Sequence, residues 1–189
     1  MSDGSRTPPR LFLVAPEGLT AEHIVACTKA ACGAADVASI VVPAAVVRIA
    51  HDLQALDLAV LCDGQAKPPC DGVHINADAD MAALRKAVGK TGIVGVYCAA
   101  SRHAAMQAAE AGADYIAFAQ KSFQRREPIV GWWAELFEIP CVAFDPSEIK
   151  DLDILLPQCP DFIRPSDAMW ASPEEAARVS AEFMQRITA

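Results

Sequence analysis

The residues able to do chemistry in this sequence fall into a few groups. Lys121, Arg125 and Arg126 lie close together, and Arg164 follows further on. Cationic N–H donors clustered in this way suit an anion such as phosphate, because each contact is a charge-assisted hydrogen bond. Carboxylates stand at Glu17, Asp63, Asp78 and Asp145. His74 sits in an apolar run where side chains alternate in direction, which points it and Asn76 one way and Val73 and Ile75 the other. His74 is therefore either an acid–base group or an interior histidine with its hydrogen bonds satisfied. Asp63 is either functional or a strand terminator. Cys62 and Cys98 end apolar runs, and a thiol there reacts only if its pKa is lowered. The cysteine count is odd, no CxxC occurs, and Cys27 and Cys32 lie five apart, a poor spacing for a metal. In a reducing compartment such cysteines are mostly small buried apolar residues.

The elements that must position these groups are short apolar strands alternating with amphipathic helices. Strands are expected at Leu11–Ala15, Val37–Val42, Leu58–Cys62, Gly72–Ile75, Ile93–Tyr97, Tyr115–Ala119, Cys141–Phe144 and Phe162–Arg164. Helices are expected at Thr20–Cys32, closed by Gly33, and at Ala44–Leu56, Ala79–Val88, Ser101–Ala111 and Ile129–Phe137. A weaker one is expected at Ser147–Leu155. The last helix carries the clearest start signals: Ser172 as cap, Pro173 in the first turn and Glu175 at the capping-box position. Only a Pro-rich link joins the third and fourth strands. Strict βα alternation means a parallel sheet, and eight units predict a small single-domain α/β fold, a (β/α)8 TIM barrel. Pro16-Glu17-Gly18 follows the first strand in place of a GxGxxG loop, which argues against a dinucleotide fold. Residues 1–9 read as a flexible polar tail and 10–189 as the barrel. Chemistry in such a barrel sits where strands end, which is where Asp63, Asn76, Lys121, Asp145, Arg164, Ser166 and Asp167 fall.

The composition narrows function. Twenty-four acidic residues against 16 basic ones give a net charge of −8, which repels nucleic acid. Hydrophobic residues make up 53%, enough for a core. No apolar run reaches the roughly 18 residues of a membrane span, and the first ten residues are polar, so a cytoplasmic protein without membrane contact is expected.

Asp71-Gly72-Val73-His74-Ile75-Asn76 and Gly112-Ala113-Asp114-Tyr115-Ile116-Ala117-Phe118 resemble the GADGVHLGQ and GADYIGFGP segments of the thiamine-phosphate synthase family and its regulator-like relatives. Ile93-Val94-Gly95-Val96-Tyr97, Leu11-Phe12-Leu13-Val14 and Ala171-Ser172-Pro173-Glu174-Glu175-Ala176 resemble its fifth strand, first strand and last helix. The resemblance spans roughly 10–186 and implies a (β/α)8 barrel. It also implies a transferase of thiamine biosynthesis that joins a pyrimidine diphosphate to a thiazole phosphate with Mg²⁺. It assigns Asp63 as a Mg²⁺ carboxylate, with Asp78 or Asp80 as a second.

Several positions depart from the family pattern. The second strand ends Val42-Pro43-Ala44, where the family has an Arg and a Lys. The sixth loop reads Phe123-Gln124-Arg125-Arg126-Glu127, without the family's threonines and lysine. The seventh strand ends Asp145-Pro146 in place of a Gly-Gly phosphate cradle, and proline has no N–H to offer. Each lost donor costs roughly 3–4 kcal/mol, or about 10²–10³ in rate. A divergent relative that binds a small phosphorylated ligand through Lys121, Arg125, Arg126, Arg164, Ser166 and Asn76 is the leading expectation. An active synthase and a different enzyme on the same barrel are the alternatives. Arg164 either contacts ligand or pairs with Asp145. Trp170 either roofs the pocket or packs on the last helix. Trp132 and Trp133 cannot both face the core, so one is a candidate contact in a homodimer.

Overall fold

The computed structural model describes residues 7–121 and 128–189. Arg125 and Arg126 lie outside the described residues. Eight parallel strands close into a barrel in sequence order. They are β1 (Arg10–Val14), β2 (Val37–Val42), β3 (Ala59–Asp63), β4 (Gly72–Asn76), β5 (Ile93–Tyr97), β6 (Tyr115–Phe118), β7 (Cys141–Ser147) and β8 (Phe162–Pro165). The helices are α1 (Ala21–Ala34), α2 (Ala50–Gln54), α3 (Met81–Val88), α4 (Arg102–Glu110), α5 (Ile129–Leu136), α6 (Leu152–Leu155) and α7 (Pro173–Ile187). The fold is the expected small (β/α)8 barrel. Among the described residues, no helix is long and apolar enough to cross a membrane.

Alternation along each strand divides the core in two. Leu11, Leu13, Ile40, Val60, Val73, Ile75, Val94, Val96, Ile116 and Ile163 face the helices. Phe12, Val41, Leu61, Tyr115, Ala117 and Val142 fill the barrel, with Tyr97, Phe144 and Phe162 packed on them. Both faces are covered, which is why the strands read as apolar runs rather than alternating ones. Outside the barrel α1 packs on α7. Ile24, Cys27 and Ala31 of α1 and Ala176, Val179 and Phe183 of α7 are all buried.

The ends of the elements refine the expectations from sequence. Thr20 and Ser101 cap α1 and α4 as expected. Gly33 does not stop α1, which runs on to a cap at Ala35. Asp80 is an N-cap, accepting from the Ala83 N–H, so α3 starts two residues later than Ala79 and that carboxylate is engaged in helix capping. Segment 44–56 divides into a 3-10 turn at Ala44–Ile49 and the short α2, in keeping with the β-branched Val46, Val47 and Ile49, which crowd an α-helix. The weak helix at 147–155 is a longer β7 followed by a 3-10 turn and α6. Ser172 caps α7 by accepting from Glu175 N, but the Glu175 carboxylate turns to Arg178 at 2.7 Å.

An aspartate immediately precedes every even-numbered strand: Asp36, Asp71, Asp114 and Asp161. Three of them accept the N–H near the start of the strand before. Asp71 takes Val60 N at 2.8 Å, Asp114 takes Val94 N at 2.7 Å and Asp161 takes Cys141 N at 2.8 Å. Asp36 pairs instead with the Arg10 side chain at 2.8 Å. These bonds satisfy strand-end donors and stitch the strands in pairs at the end of the barrel opposite the catalytic mouth expected for this fold.

Candidate functional site

Asp63, His74, Gly95 and Tyr115 are register partners on four successive strands, β3 to β6. All four belong to the inward-facing set. The gap at Gly95 makes their arrangement possible, because a methyl group there would lie 1.8 Å from Tyr115 Cζ. The Tyr115 ring crosses over β5 through that gap. Its hydroxyl shares a 2.6 Å hydrogen bond with Nδ1 of His74 on β4. The two rings lie nearly parallel, with centroids 5.8 Å apart. On its other contact the imidazole stacks on Phe144 at 4.7 Å. Phe12 packs beside the pair, edge-on to both Tyr115 and Phe144.

Burial sets the protonation of this group. It disfavours the imidazolium, and the positive Arg164 adds to the effect, so the His74 pKa falls to about 4. The imidazole is neutral near pH 7. Burial, with Asp63 nearby, holds the Tyr115 pKa well above its ordinary value, so the phenol keeps its proton. Asp63 is itself pushed up, first by burial and then by Glu17, against the pull of the Gly64 N–H. Tyr97 is raised by burial and Asp145, with Arg164 opposing.

The two described cations expected to hold phosphate, Lys121 and Arg164, are engaged by the chain's own carboxylates. Lys121 Nζ lies 2.8 Å from Asp151 and also donates to the Pro146 carbonyl. Arg164 pairs with Asp167 at 2.8 Å, not with Asp145, and its guanidinium lies 5.3 Å over the Phe144 ring. Asp145 instead accepts from the Lys121 backbone N–H at 2.6 Å, and its own N–H donates to Gln120 at 2.9 Å. Ser166 is buried; it donates to Glu148 at 2.7 Å and caps the turn that follows. Asn76 is exposed at the end of β4. The cation that sequence reasoning missed is Lys67, on the short β3–β4 link, whose Nζ donates to the Ala44 carbonyl beside the end of β2.

The remaining candidates are structural. Cys62 is raised by burial, and Cys98 is pushed up to about 12 by the same cause, which makes both inert thiols. Trp170 packs in the helix-facing core, and its carbonyl accepts from His23 at 2.7 Å, so it supports α1 and α7 rather than the pocket. That bond also ties His23 of α1 to the turn after β8. Trp133 is fully buried, and Trp132 carries Arg102 4.4 Å over its ring.

Among the described residues there is no group of three or more His, Cys, Asp or Glu side chains placed to hold a metal. Asp78 is exposed in the turn after β4. Glu17, however, lies near enough to Asp63 to help raise its pKa, and such a pair of oxygen ligands fits Mg²⁺, which needs only one or two carboxylates when a phosphate and water complete its shell. Bound there, the ion would offset the charge of a diphosphate.

The thiamine monophosphate synthase family matches residues 11–145. The chain belongs to this family. A thiamine-phosphate synthase of Rhodospirillum centenum is 33% identical, covering 94% of this chain and 97% of that one. One of Erythrobacter litoralis is 36% identical over 69% of this chain and 70% of its own length. Thiamine phosphate pyrophosphorylase from Pyrococcus furiosus superposes with a TM-score of 0.76 at 18% identity, over 95% of both chains, a likeness of fold. The family's matched region contains Asp63, His74, Gly95, Tyr115, Lys121 and Asp145, and stops short of Arg164.

Proposed function

We propose that this member of the thiamine monophosphate synthase family binds a small phosphorylated ligand of thiamine metabolism at the mouth of its barrel and turns over the family substrates poorly. The observation that carries the reading is the state of the mouth cations: Lys121 is held by Asp151 and Arg164 by Asp167. A cation already paired to a carboxylate brings less net positive charge to a phosphate, even where it keeps a donor free. Departure of a diphosphate needs positive charge on the developing anion, and each missing donor lowers the rate by about 10²–10³. Lys67 beside the end of β2 and Arg125 and Arg126 in the sixth loop are the cations that supply what binding remains. Of the two paired cations Arg164 is the more buried, its side chain 15% exposed against 43% for Lys121.

Calorimetry with thiamine phosphate tests the reading. The wild-type chain binds it, and Arg164→Ala weakens binding several-fold. An affinity that Arg164→Ala leaves unchanged removes Arg164 from the site.

A second reading is an active synthase. The names of the relatives, matched over nearly the whole chain, favour it. In that reading Asp63 and Glu17 hold Mg²⁺, and the ion supplies charge neutralisation when bound. Measured pyrophosphate release separates the two.

A further inference from the structure

Two nitrogen atoms on inward-facing side chains, His74 Nε2 and Arg164 Nε, are buried without a hydrogen-bond partner among the described residues. His74 is only 5% exposed. A buried donor left unpaired loses its hydration without compensation, so the His74 nitrogen calls for an explanation.

Counting protons gives the direction of the His74–Tyr115 bond. A neutral imidazole has one N–H and one lone pair. If the Tyr115 hydroxyl donates to Nδ1, the ring proton sits on Nε2, and one donor is left unpaired. If Nδ1 carries the proton and donates, both the phenol hydrogen and the Nε2 lone pair are left unpaired. The first arrangement leaves fewer buried polar groups unsatisfied. Stacking on Phe144 fixes the plane of the ring, and Gly95 leaves room for the tyrosine to reach it.

We infer that Tyr115 is a positioning residue: its hydroxyl locks His74 as the Nε2–H tautomer, which offers one directed donor to an acceptor atom of the ligand inside the barrel. The ligand part of this inference rests on the proposed function; the tautomer does not. The ligand class is a small phosphorylated molecule that carries an acceptor, a ring nitrogen or an oxygen, able to reach the β4 wall. The second unpaired donor, Arg164 Nε, offers the same molecule another contact.

Long-range ¹H–¹⁵N correlation spectra of the wild-type protein near neutral pH report which His74 nitrogen is protonated. The expected result is a bare Nδ1 and a protonated Nε2; a protonated Nδ1 overturns the inference whatever the ligand. Tyr115→Phe should give a mixture of tautomers and an affinity for thiamine phosphate about five- to tenfold lower. A single unchanged tautomer with unchanged affinity also overturns it. Should Tyr115→Phe not fold, two substitutions of His74 decide the donor role. His74→Gln places an amide near Nε2 and should retain binding, whereas His74→Asn places one near Nδ1 and should lose it. Equal affinity in the two variants sinks the donor role. If wild type itself does not bind thiamine phosphate, the proposed function falls, and the ligand part of this inference falls with it, while the spectra still decide the tautomer.

Discussion

His74 ties the barrel interior to pH. Its pKa falls from 6.5 to about 4 in the folded chain. The unfolded chain therefore binds the proton more readily, and stability present above pH 6.5 is lost as the pH falls towards 4. The shift corresponds to roughly 3 kcal/mol for a buried group. Urea unfolding between pH 7 and pH 4 should show this slope in the wild type and a shallower one in His74→Gln; identical slopes would mean that His74 is not the group responsible. The inward parity of His74 was legible from strand alternation alone. Its partner was not identified, although Tyr115 lies in a motif the sequence plainly displays. The bond joins strands two places apart in the sheet, and no local periodicity reports a contact across an intervening strand. For Arg164 the reverse holds: its partner is the sequence-local Asp167 three residues on, rather than Asp145 on the neighbouring strand.

The elements owe their placement to a few side chains with definite tasks. Gly95 is a strand residue whose missing Cβ makes room for Tyr115. Gly95→Ala should therefore displace the tyrosine and destabilise the chain by about 1–3 kcal/mol, the usual cost of overpacking. Thermal unfolding at wild-type temperature, with the His74 resonances unmoved, would contradict this. Asp114 anchors β5 to β6 by accepting the Val94 N–H. Asp114→Ala should cost about 1–3 kcal/mol by leaving that donor unpaired, measurable by urea denaturation, and a loss below a few tenths of a kcal/mol would show that water replaces the carboxylate. The strands were readable because their apolar runs are buried on both faces, and Ser172 with Pro173 marked the start of α7. Segment 44–56 was less readable. It is apolar at helical spacing, but valine and isoleucine side chains favour the tighter turn over its first half. Glu175 stood at the capping-box position, yet an arginine one turn on is a stronger partner than a backbone N–H.

The molecule as a whole is a closed barrel, and two of the described cations at its mouth are paired with carboxylates. Carboxylates outnumber cations among the described groups there: Glu17, Asp63, Asp145, Asp151 and Asp167 face Lys67, Lys121 and Arg164. Freeing one cation should strengthen anion binding. Asp167→Asn should raise the affinity for inorganic pyrophosphate about two- to fivefold, since a partly exposed pair is worth up to about 1 kcal/mol; calorimetry reads it, and no gain would mean that Arg164 does not meet the anion. The central claim is that these paired cations leave the family reaction without its electrostatic support. Its most direct test is the rate of pyrophosphate release by the purified chain supplied with the pyrimidine diphosphate, the thiazole phosphate and Mg²⁺. The account predicts release at least about 10³-fold below the ordinary enzyme range of 1–10³ per second. Release within that range would contradict it.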